Sequence, residues 1–240
     1  MEVDKVMAKI LIGIVALGMV LTLMTGCRED PTRNSSRRNI QGTIRLPEPS
    51  LQGEASLEAV LLRRVSRRNF SVGAISLGDL GQLLWAAQGQ ASDARSGATR
   101  TAPSAGATHP LQIYVVVGNV EALQAGIYLY QQRDHSLVMV AAGHFESQLA
   151  AVALGQGFLA RAAVNLVLTA DYGLTTGRYG ERGRRYVYME VGHATQNILL
   201  QSEALRLGAV AVGAFHDERL VSLLETETAP LMIVPIGRFE

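Results

Sequence analysis

Residues 100–110 read RTAPSAGATHP, and the chain runs from there straight into LQIYVVV, residues 111–117. The first stretch is almost wholly small side chains held between prolines. It is too poor in side chain to build a core, and too short and too apolar to be a linker, so its backbone reads as a surface for something to lie against. The second stretch is apolar and β-branched, which predicts a strand over Gln112–Val117.

The elements on either side alternate irregularly between helix and strand. Upstream, Ser56 caps the short amphipathic stretch LEAVLLRRV, and a helix over about Leu77–Gln88 stops at Gly89. Downstream, GIYLY and SLVMVAA flank QQRDH as a hairpin. There follow a helix from about Phe145 to Arg161, a strand Val164–Ala170, a long helix about Arg184–Leu207, a strand AVAVGAF, a short helix after Asp217 and a final strand LMIVPIG. This order predicts an α+β fold with no internal repeat.

The chain has 240 residues, 48% hydrophobic and 18% charged, enough for one full core plus additional sequence. Its formal net charge is +1, which points away from nucleic acid as a partner. After Lys5 and Lys9 an uncharged run leads to Met24-Thr25-Gly26-Cys27, with no charge until Arg28. That is the layout of a signal peptide over residues 1–26, although a run of this length also meets the lower limit of a membrane-spanning anchor helix. The small residues before Cys27 resemble a bacterial lipobox, in which cleavage precedes the cysteine and its sulfur takes a diacylglycerol. Cys27 is the only cysteine, so no intrachain disulfide forms, and lipidation gives the lone thiol a role. Residues 27–55 are polar and proline-containing and read as a flexible tether, with the ordered domain over 56–240. The expected location is the membrane, lipid-anchored, facing the periplasm or cell exterior.

Three places carry residues suited to chemistry. RRVSRRNF, residues 63–70, sets four guanidiniums around a hydroxyl where a helix breaks. A phosphate could engage two of them bidentately, while a solvated basic helix end is the competing reading. Pro103-Ser104-Ala105-Gly106 exposes backbone amides that a flat ring system could approach, against a plain surface loop. A Ser104 nucleophile with His109 or His193 is disfavoured, because PSAG is no nucleophile elbow and no acid is placed to orient a histidine. In Gly177–Phe215 a helix buries one face, yet carries Gly192, His193 and Asn197 mid-length. The mid-helix glycine calls for close approach of another group as compensation. The histidines at 109, 135, 144, 193 and 216 show no metal-ligand spacing, and no metal is expected.

In order, R-R-x-S-x-R-x-F, L-x-x-L-L-W-A-A-Q-G, R-T-A-P-S-A-G-A-x-H-P-L, R-Y-G-x-R-G-x-R-Y, G-H-x-x-Q-N and G-A-V-A-V-G-A-F resemble the nitroreductase-like FMN oxidoreductases. More narrowly they are similar to the SagB-type branch, which includes azoline dehydrogenases acting on peptide natural products. The resemblance covers about Leu57 to Gly237. It implies a nitroreductase-like α+β fold, with a central, mainly antiparallel sheet flanked by helices, and a homodimer with FMN at the subunit interface.

The resemblance also implies roles. Arg64, Ser66 and Arg68 would hold the flavin phosphate, with Val65 standing where the family commonly has a basic residue. Pro103, Ser104, Ala105 and Gly106 would lie along the isoalloxazine. Asn197 would approach the cofactor from the long helix, and the Val212-Gly213-Ala214 turn would offer amides to the redox-active ring nitrogen. Arg178-Tyr179 matches a Lys-Tyr pair of the azoline dehydrogenases, so Tyr179 is the expected acid-base group and Arg178 an orienting cation. Export makes a nicotinamide donor scarce, which leaves a quinone, a small reductant or a peptide-like substrate. The alternative to an enzyme is a non-catalytic flavin-binding or electron-carrying lipoprotein.

Overall fold

The computed structural model describes residues 42–90 and 100–240. The N-terminal apolar segment, Cys27 and the first part of the expected tether lie outside the described residues. Seven strands form one sheet: β1 (Thr43–Arg45), β2 (Leu111–Val117), β3 (Gly126–Gln131), β4 (Ser136–Ala142), β5 (Val164–Ala170), β6 (Gly208–Ala209) and β7 (Ala229–Gly237). Their spatial order is β1-β4-β3-β2-β5-β7-β6, and every neighbouring pair runs antiparallel. The helices are α1 (Leu57–Arg63), α2 (Leu77–Gln88), α3 (Glu146–Val152), α4 (Phe158–Arg161), α5 (Tyr172–Tyr179), α6 (Arg182–Ala204) and α7 (Asp217–Leu224). The expected α+β class and antiparallel sheet are present.

The period-two geometry of a strand splits the central apolar runs between two cores. From β2, Leu111, Ile113, Val115 and Val117 pack with Leu80, Leu83 and Leu84 of α2 and Val187, Val191 and Ile198 of α6. Tyr114 and Val116 point the other way, toward Leu149 of α3, Leu159 of α4 and Leu220 and Leu224 of α7. β5 is buried at every position, Asn165 and Thr169 included, so its burial does not alternate. Helices therefore cover both faces, and chemistry is confined to loops and helix ends.

Four local expectations change. Residues 43–45 lie within the expected tether, yet they pair with Ser136–Val138 as an edge strand. His135 holds that segment down through Nε2 on the Pro47 carbonyl at 3.1 Å, while its Nδ1 meets the Tyr130 hydroxyl at 2.9 Å. The helix expected over 145–161 is broken by Leu154 and Gly155, both at positive φ. The long helix has a separate forerunner, α5, because Gly180 (φ 58, ψ −154) ends one helix before the next begins. The expected strand over 209–215 shrinks to β6 and a bridge between Val212 and Ile233.

Position 192 was expected to meet a close neighbour, yet no atom within 4 Å awaits a Cβ there. Gly192 is exposed beside Tyr188 and Met189. The close approach on α6 occurs instead at Gly183, where a Cβ would stand 2.8 Å from the Thr176 backbone and push α5 away.

A buried acid sits in the middle of α6. Glu190 is 2% exposed, and its Oε1 has no hydrogen-bond partner. Burial pushes its carboxyl above the usual carboxylate range, against the opposing pull of Ser104, Gln88, Arg100 and His193. Because the folded value is raised, this group's stabilising contribution is complete below its unfolded value, about 4.3. It is lost as pH rises through the folded value. Urea denaturation across pH 4 to 8 should therefore show Glu190→Gln gaining on the parent as pH rises. A pH-independent difference between the two would show that Glu190 does not titrate in this way.

Candidate functional site

Residues 101–110 enter β2 through a tight turn. Ala105–Ala107 form one turn of 3-10 helix, and Gly106 (φ 59), Ala107 (φ 54) and His109 (φ 47) all occupy the left-handed region. Two of these are not glycine, so the turn is held in strain by its contacts. The Ser104 hydroxyl accepts the His109 amide at 2.9 Å, and the Ser104 carbonyl accepts the Ala107 amide at 3.1 Å. Ala102 anchors the turn in the core, while Pro103, Gly106 and Ala107 are exposed.

The sheet register brings α5 to this turn. Leu111 opens β2 opposite Ala170, the last residue of β5, and the Asp171 amide donates to the Pro110 carbonyl at 3.0 Å. Asp171 then caps α5 by accepting the Gly173 amide. The helix lays three groups on the turn: Thr175 Oγ1 meets Thr108 Oγ1 at 2.9 Å, Arg178 Nη1 donates to the Gly106 carbonyl at 3.0 Å, and the Tyr179 hydroxyl reaches the same glycine. A Cβ at position 106 would stand 2.5 Å from that hydroxyl and 2.9 Å from Arg178 Cζ. Only glycine fits. Arg178 and Tyr179 thus belong to the last turn of a helix, with the Tyr179 ring edge-on to Tyr186 at 5.1 Å, and not to an open surface turn.

The basic stretch divides its charges. As α1 ends, residues 64–68 extend alongside β6, with Ser66 bridged to Ala209 and the Arg67 amide donating to the Ala209 carbonyl at 3.0 Å. Arg63 and Arg67 reach the carboxylate of Glu203, at 3.4 and 3.6 Å, and Arg67 also lies over the Phe239 ring. Among the described residues no carboxylate lies within ion-pair distance of Arg64 or Arg68. Two guanidiniums flanking the exposed Ser66 are left for an anion.

Asn197 is committed on its donor side, giving Nδ2 to the Ala86 carbonyl at 3.0 Å. This ties α6 to the end of α2 and leaves Oδ1 as its open group. The Val212 amide is likewise used, donating to the Ile233 carbonyl at 2.8 Å. Of the expected turn, exposed Gly213 and Ala214 are the residues whose amides make no backbone hydrogen bond among the described residues.

No group of three metal-binding side chains forms among the described residues, and none of their helices is long and apolar enough to cross a membrane. His144 pairs with Glu146 at 3.1 Å, and His135 holds the edge strand. Burial, with the Arg100 charge, lowers the His109 imidazole below its ordinary value. Sequence reasoning missed Glu190 and Gln88, both 2% exposed, together with the contacts of Thr175. A glutamate on an otherwise apolar helical face was the signal available for Glu190.

Residues 61–238 match the model of the Nitroreductase family. A protein of Methanocaldococcus jannaschii described as a nitroreductase is 41% identical over 196 residues, which cover 82% of this chain and 97% of that one. A trifolitoxin operon protein of Rhizobium leguminosarum bv. trifolii is 27% identical over 226 residues, 86% of this chain but 63% of that protein. The crystal structure of a nitroreductase-like protein from Anabaena variabilis superposes with a TM-score of 0.73 at 26% identity, covering 83% of this chain and 42% of that one. This chain thus spans less than two thirds of the last two. The family match across both the basic stretch and the small-residue turn, together with the antiparallel sheet that joins them, places the chain in the nitroreductase family of flavin-type oxidoreductases.

Proposed function

We propose that the protein is an FMN-dependent oxidoreductase of the SagB-type branch, exported, lipid-anchored at Cys27 and dimeric. The observation that carries the reading is the seating of Arg178 and the Tyr179 hydroxyl on Gly106, beside an otherwise exposed small-residue turn. The described residues fit FMN: the turn presents backbone where a side chain would obstruct a ring, and Arg64, Ser66 and Arg68 form an unneutralised anion cradle. Glu190, which faces the turn, and Glu203, which holds Arg63 and Arg67 behind the cradle, are about 20 Å apart along α6, so one helix supports both ends of an elongated cofactor.

When bound, FMN supplies two-electron chemistry. The chain supplies binding, orientation and proton handling. Arg64 and Arg68 grip the phosphate, and the amides of Gly213 and Ala214 are the free donors for the polar edge of the ring. Arg178 holds an anionic or carbonyl-bearing substrate against the turn. A guanidinium stays protonated at any accessible pH, so Tyr179 is the group there that can give or take a proton. The trifolitoxin operon relative supports the SagB-type reading. Exposed Tyr188 and Met189 on α6 and Leu57, Leu61 and Leu62 on α1 are apolar surface suited to a second subunit.

Three outcomes are expected. The full-length protein should purify with about one FMN per chain, and replacing Arg64 and Arg68 together by Ala should weaken FMN binding by roughly a hundredfold, since each charged hydrogen bond contributes about 1.5 kcal/mol or more. Undiminished FMN affinity in the double variant, read by fluorescence titration, would reject the phosphate assignment. Mass spectrometry of the membrane fraction should find the mature N-terminus at a diacylated Cys27, whereas an intact, unmodified N-terminal segment would favour an anchor helix. Finally, thiazoline-containing peptides should reduce the bound flavin poorly in the parent and roughly a hundredfold faster in Arg178→Lys, because an amine can serve as a base. Rapid reduction by the parent in a stopped-flow trace would sink the assigned role of Arg178.

A further inference from the structure

A second recess lies on the far side of the small-residue turn. It is a cleft of about 220 Å3 between the end of α2, the entrance of β2, the end of β3 and α5. Leu111, Ile113, Leu129 and Leu174 give it one apolar side, Gln112, Gln131 and Gln132 a polar rim, and Arg100 and Gln88 a charged end. Arg100 Nη1 donates to Gln88 Oε1, which fixes the orientation of that amide and leaves its Nε2 as a donor. Gln88 is 2% exposed, and this Nε2 makes no close hydrogen bond among the described residues, its polar neighbour being the raised carboxyl of Glu190. Arg100 is half-buried, and among the described residues no carboxylate stands within ion-pair distance of it.

A desolvated cation beside an unfilled amide donor is unfavourable until an acceptor arrives. The nearest acid, Glu190, does not supply one as an ion pair. Burial raises its carboxyl above the usual carboxylate range, which weakens its opposition to an incoming anion as pH falls. A carboxylate would accept from the remaining guanidinium N–H groups and from Gln88 Nε2 together. A free phosphate would set its hydrated oxygens against four leucine and isoleucine side chains. The volume suits one aromatic or branched aliphatic group behind the carboxylate.

We propose that this cleft binds a small carboxylic acid with an apolar body, held at its carboxylate by Arg100 and Gln88. The site is separate from the Arg178 and Tyr179 face of the turn, and it does not depend on the flavin assignment.

Calorimetric titration of the full-length chain with benzoate tests this, with benzamide as the uncharged counterpart. Benzoate should saturate at one per chain, and benzamide should bind at least tenfold more weakly. Arg100→Gln should weaken benzoate at least tenfold, and so should Leu174→Trp, which fills the mouth from an exposed position and leaves the charges and the core untouched. Arg178→Ala should leave benzoate affinity unchanged. The proposal is overturned if benzoate shows no saturable binding, if benzamide binds equally well, or if Arg178→Ala abolishes binding that survives in Arg100→Gln. Should Arg100→Gln fail to fold, the Leu174→Trp titration decides alone: unchanged affinity there rejects the cleft.

Discussion

The pairing of Leu111–Val117 with Val164–Ala170 is the constraint on which the rest of the molecule depends. It puts Leu111 across from Ala170, so the loop entering β2 and the helix leaving β5 emerge at the same sheet edge. Everything at the candidate site follows from that register. Asp171 reaches back to Pro110, caps α5, and so directs Thr175, Arg178 and Tyr179 onto the Ser104–Thr108 turn. A slip of one residue would exchange side chains between the two cores and carry α5 away from the glycine it now covers.

Burial on both faces of the sheet has a second consequence. Polar groups are excluded from the layers except where they find partners, so those that persist mark places where the fold holds a loop. Asn197 ties α6 to the end of α2, Glu203 gathers Arg63 and Arg67, and Glu190 faces Ser104, Gln88 and Arg100. The last of these is the least satisfied. Its position beneath the strained turn links that turn with the cleft lined by Gln88 and Arg100.

The basic stretch shows how one charge decides the use of several. Four arginines in six residues are equivalent as letters. Extended backbone alternates their directions, and the single carboxylate of Glu203 neutralises Arg63 and Arg67 while leaving Arg64 and Arg68 open.

The sequence by itself determined the class of fold, the hairpin, the principal strands and the importance of RTAPSAGATHP, since hydrophobic period, turn residues and side-chain size are local properties. It also carried the order of motifs by which the family is legible. Only the tertiary structure decided matters that rest on contacts between distant residues. The Thr43–Arg45 strand is too short to show a period and forms because His135 and β4 hold it. Helix α5 carries two glycines and little apolar pattern, and it is stabilised by the Asp171 cap and by its packing on the turn. The Val212 amide, which reads as free in a glycine-rich stretch, is taken by Ile233. Glu190 reads as one more charge on a helix, and becomes a buried acid because the turn and α2 close over it. Burial and partnership are set by what the chain brings alongside a residue, and no local pattern contains that information.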